Sequence, residues 1–420
     1  MRILIVSYYF PPFNCMAAVR VGKTAKFLQK MGHDVRVLSA KEQSFPETLQ
    51  VEIGESSIVR TRWWNVNKPV QWFVGGKDVV ASQGISEGKA GKVAVLRWLG
   101  KLYKHLFNLP DAQIGWLFPA LSAGKAMCEN WQPDIIYASA PSFTSLLVSR
   151  RLAKISGCPW VAEFRDLWVD NPYNDFPVWR QKLERIWERR VLASASGLVT
   201  VSQPLADTLK QYFNLPVIVI TNGFDPDDYP SDVSRSTDGL LHINYTGMIY
   251  PGRRDPGPLF EALRILGSDR IRVNFYGRYL ESAREMARSI GVGHLVQIHP
   301  PVPYVQSLRL QCEADLLLLL LWNSSQEKGV FTGKVFEYLG SGRPILVVGG
   351  SDNVAAELIS EKDAGMVTSE PQLIAQYLAR CLALKDAQGD ISQSEVDVGE
   401  FSREEQTRRL ASFLQTLTGK

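Results

Sequence analysis

The chain has 420 residues, 45% of them hydrophobic and 21% charged, with a net charge of +4. That length predicts two to three domains with cores of their own, and the composition excludes a disordered chain. The charge is too small and dispersed for a nucleic-acid partner, and the five cysteines are scattered with no CxxC pair, which fits a reducing cytoplasm rather than a disulfide framework or a zinc site.

Ile3–Ser7 is a near-continuous apolar run of the parallel-strand kind, too short for a signal peptide. Tyr8-Tyr9-Phe10-Pro11-Pro12 stops it, and a loop over Asn14–Ala18 leads into a predicted helix from Val19 to Met31. Gly32 and His33 end that helix before a second strand, Asp34–Leu38, which completes a βαβ unit. In such units ligands bind beyond the carboxyl end of the first strand. The GxGxxG fingerprint is missing, which argues against a nicotinamide-dependent oxidoreductase.

Residues 40–90 carry few periodic signals and read as an insertion with short strands and a loop. On the following helical pattern Arg97, Lys101 and Lys104 share one face, Val95, Leu99, Leu102 and Leu106 the opposite one, and Trp98 and Tyr103 flank the boundary. This is the pattern of a helix in a membrane interface, or of a surface helix docked on its own domain. The aromatics of Leu109–Pro119, Trp116 among them, read as exposed and would extend the same surface over 95–119. The longest apolar run, Ala314 to Trp322 broken by Asp315, is too short to span a bilayer.

Pro133–Ser139 is a further strand, and Pro159–Trp168 begins as one and runs into Glu163, Arg165 and Asp166. Those three lie at or near a strand's carboxyl end, either as cleft-facing groups or as a structural Arg–carboxylate pair. Pro216–Asp225 closes the first domain, 1–225. Asp225-Pro226-Asp227-Asp228 contains a DxD pattern, but it sits in a linker with no His or further carboxylates, and no metal is expected there. Residues 230–238 are polar and mark the boundary. A second domain, 239–400, restarts the βαβ pattern with a strand at His242–Gly247, and a last helix is expected over 401–417.

Residues Glu327 to Gly350 carry the strongest chemical signal. Gly329 and Gly333 lead into a helical turn, and Pro344–Val348 is a buried-type strand. Glycines let a backbone approach a ligand closely, and a helix amino terminus favours an anion. Lys334 and Glu337, at i and i+3, share a face. A cation beside phosphates and a carboxylate able to accept ribose hydroxyls are what a nucleoside-diphosphate pocket requires.

These stretches resemble the family 4 retaining glycosyltransferases, whose GT-B fold is α/β, with two Rossmann-like doubly wound domains facing across a cleft. The resemblance is carried by the Phe10-Pro11-Pro12 opening with Gly32-His33, by 160–168, by 217–225 and by 327–350. Glu337 matches the second Glu of the family's paired signature, while Gly329 stands where the first would be. The resemblance implies that Arg253, Arg254, Thr332, Gly333 and Lys334 hold the donor diphosphate, with Met248 in place of the family's other arginine. It places Val302 beside the base, and Asn14, Met16, Ala17, Glu163, Arg165 and Asp166 on the acceptor side. Asp166, Arg254 and Lys334 are the residues expected to carry the chemistry, and the last helix is expected to pack back on the first domain.

The resulting expectation is transfer of a sugar, with retention, from a nucleoside diphosphate sugar, most often UDP-linked in the family, to a hydroxyl of a glycan or lipid-linked acceptor. Neither metal nor cofactor is expected. Polysaccharide or lipopolysaccharide biosynthesis at the inner face of the cytoplasmic membrane fits this reading. A sugar-nucleotide-binding scaffold and a nucleotide-sugar epimerase on the same fold are the alternatives.

Overall fold

The computed structural model describes residues 1–68, 100, 102–234, 236–249, 252–324, 327–391 and 396–419. The chain forms two units, one of Met1–Ile220 with Thr407–Lys420, the other of Thr221–Gln406.

The first unit runs β1 (Arg2–Val6), α1 (Met16–Lys30), β2 (Asp34–Ala40), β3 (Ile58–Thr61), α2 (Leu117–Trp131), β4 (Ile135–Ala140), α3 (Thr144–Ser156), β5 (Trp160–Phe164), α4 (Val178–Leu192), β6 (Gly197–Thr200), α5 (Gln203–Tyr212) and β7 (Val217–Val219). Its seven strands are parallel in the order β3-β2-β1-β4-β5-β6-β7. The strand read in the sequence as an insertion, β3, is thus the sheet's edge. Because strand side chains alternate, β1 sends Leu4 and Val6 into one core and Ile3 and Ile5 into the other. Covering both faces is what a parallel sheet requires, and it explains why these strands read as unbroken apolar runs. The second of those cores also takes in Leu410, Ala411 and Leu414 of the last helix, α12 (Arg403–Thr418). Each of the two buried leucines, Leu410 and Leu414, contributes about 2 kcal/mol.

The second unit runs β8 (Leu241–Thr246), α6 (Gly257–Leu266), β9 (Ile271–Tyr276), α7 (Glu281–Ile290), β10 (Val296–His299), α8 (Tyr304–Glu313), β11 (Leu316–Leu320), α9 (Gly333–Gly340), β12 (Ile345–Val348), α10 (Val354–Glu361), β13 (Gly365–Val367) and α11 (Pro371–Gln388). Six parallel strands pair in the order β10-β9-β8-β11-β12-β13. The five leucines of β11 split between two cores, Leu316, Leu318 and Leu320 on one side and Leu317 and Leu319 on the other. Both sheets reverse their winding beside the first strand, β1/β4 and β8/β11. A reversal opens a crevice at the carboxyl ends of those strands.

Two expectations for the first unit change. Helix α1 begins at Met16 rather than Val19, so Met16 and Ala17 sit in its first turn. Trp116 is 0% exposed, not a surface aromatic. Its ring packs edge-on against Tyr8 and its Nε1–H donates to Thr61 Oγ1 at 2.8 Å, so the polar tip is satisfied inside. Arg97, Lys101, Val95, Leu99 and Trp98 lie outside the described residues. No helix among the described residues is long and apolar enough to cross a membrane.

Candidate active site

In the second unit the groups singled out by sequence gather at the carboxyl end of β8. Lys334, in the first turn of α9, reaches back across Gly247, the residue after β8. Its Nζ donates to Tyr245 Oη at 2.9 Å and lies 4.1 Å from that ring's centroid. Gly247 has φ +131°, and a Cβ there would meet Lys334 Cε at 2.5 Å, so glycine is required on both counts. Tyr245 Oη donates in turn to Met248 O at 2.7 Å and also bonds the Arg254 side chain. The lysine and the arginine therefore converge on one phenol. Burial raises the Tyr245 hydroxyl's pKa, but Lys334 and then Arg254 outweigh it and hold the group below its ordinary value. Burial, with Arg254 adding to it, lowers Lys334 despite Tyr245 and Glu337. Two cations in one desolvated place create a strong demand for an anion. Arg253 lies over the Trp322 ring at 4.8 Å. Thr332 is the N-cap of α9 but its side chain makes no cap bond, so the N-cap residue itself leaves the amides at that dipole end uncapped.

Glu337 stands one turn further along α9 and is 8% exposed. Burial raises its carboxyl pKa; the Gln311 hydrogen bond, Lys334 and Arg403 oppose that shift, and Asp228 adds to it. Val302 sits in the loop between β10 and α8. Gly329 lies in the turn that begins at Glu327. The DxD residues form a capped turn, in which Asp225 Oδ1 accepts from Asp227 N at 3.1 Å.

In the first unit Asn14 Nδ2 donates to Thr48 Oγ1 at 2.8 Å, Met16 is exposed and Ala17 is buried. Asp166, half-buried just after β5, has its carboxyl pKa raised by burial and partly lowered again by Arg165. Arg165 donates to Pro141 O, its Nε is buried without a partner among the described residues, and its charge reaches Tyr9 and Cys15. The ends of β1, β4 and β5 thus meet around Arg165 and Asp166. Glu163 does not join them. It is 1% exposed, Arg20 Nη2 lies 2.7 Å from its Oε1, Tyr137 donates to the same oxygen, and Ser139 donates to Oε2 at 2.5 Å. Burial would raise its pKa, but Arg20, Ser139 and Tyr137 together hold it low. The expected orienting carboxylate is a buried strut.

Sequence reading missed Tyr245, Gln311 and Asp111. Asp111 accepts from Ser142 Oγ at 2.9 Å, Thr144 N at 3.0 Å and Thr144 Oγ1 at 2.7 Å, and so fixes the loop after β4. A cavity of about 610 Å³ lined by Arg2, Glu129, Gln132 and Asp134 opens at the amino ends of β1 and β4. Parallel sheets place ligands at the other end, so it is not the candidate site.

Residues 85–228 match the model of Glycosyltransferase Family 4. No curated protein sequence matches the chain. Among solved structures, Anabaena HepE in complex with UDP and glucose has a TM-score of 0.63 at 16% identity, covering 99% of this chain and 100% of that one. The lipopolysaccharide outer core galactosyltransferase WaaB, in apo form, has a TM-score of 0.58 at 11% identity, covering 99% of each chain. A Listeria monocytogenes chain described as a UDP-N-acetylglucosamine 2-epimerase has 0.56 at 12%, covering 99% of this chain and 96% of that one. The family match is confined to residues 85–228, and the two parallel sheets are those of the GT-B fold that these solved structures share.

Proposed function

We propose that the protein moves a sugar from a nucleoside diphosphate sugar, a UDP-sugar first among candidates, to a hydroxyl of a glycan or lipid-linked acceptor, with retention and without a metal ion. The observation that carries this reading is the meeting of Lys334 and Arg254 at Tyr245 Oη, beside the uncapped start of α9 and one turn from Glu337. Transfer builds negative charge on the leaving diphosphate. Lys334, Arg253, Arg254 and the amides around Thr332 and Gly333 are fixed before that charge appears, so they need little rearrangement to stabilise it. Glu337 accepts ribose hydroxyls, Val302 lies beside the base, and Asp166 orients the acceptor hydroxyl. The leaving phosphate itself takes the acceptor's proton, which asks for no strong side-chain base. HepE's complex with UDP and glucose supports the donor class, and WaaB supports a lipopolysaccharide-type acceptor.

UDP at a hundred times its Kd is expected to stabilise the protein by about 2.7 kcal/mol, read as a rise in Tm. Release of UDP from UDP-sugar should require an acceptor. Conversion of the donor with no acceptor present would favour the epimerase reading, which the Listeria neighbour makes specific. Donor binding with no turnover under any acceptor would favour a scaffold.

We also infer a location at the inner face of the cytoplasmic membrane. Leu102, Leu106 and Phe107 of a helical turn over 102–107 are exposed, as are Val178, Trp179 and Ile186 of α4. Arg180 ties the two segments by donating to Lys104 O and Asn108 O. Lys104, Lys182, Arg189 and Arg190 are exposed among these apolar groups. At about 1 kcal/mol per cation near an anionic surface, Lys182→Ala with Arg189→Ala should lower binding to phosphatidylglycerol vesicles roughly 30-fold. Failure of the unaltered protein to sediment with such vesicles removes this inference.

A further inference from the structure

Gln311 lies in α8 and is 0% exposed. Its Nε2, with two hydrogens to share, has three acceptors within hydrogen-bond distance, Thr246 Oγ1 at 3.1 Å, Ser307 Oγ at 3.2 Å and Glu337 Oε2 at 3.3 Å. One amide group therefore joins the last residue of β8, the first turn of α8 and the side chain of α9 assigned to the donor. Its Oε1 is buried with no hydrogen-bond partner among the described residues. Leaving a buried carbonyl oxygen unmade is unfavourable, so something holds the amide this way round. Turning it over would let the oxygen accept from Thr246 and Ser307, but would set it against the Glu337 carboxylate.

We propose that Gln311 is a positioning residue for the donor site, aiming the Glu337 carboxylate at the hydroxyls of a nucleoside diphosphate. The proposal rests on the reading of Glu337 as a donor-binding group. Other groups that face Glu337 are Lys334 on its own helix, Asp228 in the turn after β7, Arg403 at the start of α12, Tyr304 at the start of α8, and Tyr229 and Tyr338. Tyr229 Oη donates to the Glu337 main-chain oxygen rather than its side chain. Gln311 differs from the charged groups in being a neutral donor with a fixed direction. It favours the ionised carboxylate against burial, which pushes the group toward its neutral form.

The test is the diphosphate affinity of Gln311→Met and Gln311→Glu relative to the unaltered protein, measured by calorimetry between pH 6 and 9. UDP, GDP, ADP and dTDP are screened first, and the one that binds is used. Met keeps the volume and removes the donor, so Glu337 should protonate more readily. Kd should rise about tenfold at pH 7, and the penalty should shrink as pH rises and ionises Glu337 again. Glu at 311 gives two carboxylates sharing one site, which hold a proton between them only at low pH. Its penalty should be smallest at pH 6 and grow toward pH 9. Opposite pH slopes in two variants of similar size are not expected of a residue that merely fills the core.

Affinity equal to the unaltered protein, or a loss independent of pH in both variants, overturns the proposal. If Gln311→Met fails to fold, the slope for Gln311→Glu decides alone. Glu337→Gln separates the two readings. Unchanged diphosphate affinity in that variant, or no diphosphate binding to the unaltered protein, defeats the site assignment itself. Loss in Glu337→Gln with no loss in either Gln311 variant defeats only the role of Gln311.

Discussion

Glu337→Ala and Arg254→Ala are each expected to cut sugar transfer by about a hundredfold or more, with Tm close to that of the unaltered protein. Removing one fixed electrostatic group from such a site typically costs about 3 kcal/mol of transition-state stabilisation. Arg254 is half-buried and shares the Tyr245 hydroxyl with Lys334, so its loss leaves that phenol paired through Lys334 and Met248 O. Glu337 is held against a burial penalty, and its loss leaves Gln311 with Thr246 Oγ1 and Ser307 Oγ as acceptors. Neither change leaves an orphaned buried group of the kind that unfolds proteins. Steady-state UDP release with acceptor, beside a thermal melt, measures both halves. Wild-type turnover in both variants would end the assignment.

The division between what was legible in the sequence and what was not follows the range of the interactions. Lys334 and Glu337 were legible because one helical turn separates them, and a spacing of three residues fixes a shared face before any tertiary contact forms. The leucines of β11 were legible because both faces of a parallel strand are covered, which leaves a continuous run in the sequence. Tyr245 was not. Its phenol sits at an apolar-looking strand position, and its role depends on Lys334, 89 residues away. Gln311 is 26 residues from Glu337 and looks like any polar residue in a short helix. Trp116 was read by its loop context as exposed, although Thr61, 55 residues before it, supplies the partner that lets it bury. Local pattern fixes the elements and the groups that one element presents; it is silent on which distant hydroxyl or carboxylate completes them.

Glu163 is the sharpest case, and it yields the largest expected effect on stability. Glu163→Ala should destabilise the protein by roughly 3–5 kcal/mol, because it breaks a buried ion pair by removing the carboxylate that faces a buried guanidinium. Arg20 is 2% exposed, and its Nη2 also donates to Ile220 O, just past β7, at 2.8 Å. The same change removes the acceptor for the Tyr137 and Ser139 hydroxyls. At roughly 2–4 °C per kcal/mol for a unit of this size, Tm should fall by about 6–20 °C. Replacing both partners, as Arg20→Met with Glu163→Leu, should recover much of the loss, since the uncompensated charge is then gone. The sign of the pH dependence follows from the low pKa of Glu163. A depressed carboxyl contributes stability above its unfolded pKa, and that contribution disappears as pH falls through the folded one. The gap between the unaltered protein and Glu163→Ala should therefore stay constant from pH 6 to 8 and narrow in acid below the ordinary carboxylate range. A melt at pH 7 that matches the unaltered protein would mean the pair is no strut, and would return Glu163 to the acceptor side with Asp166.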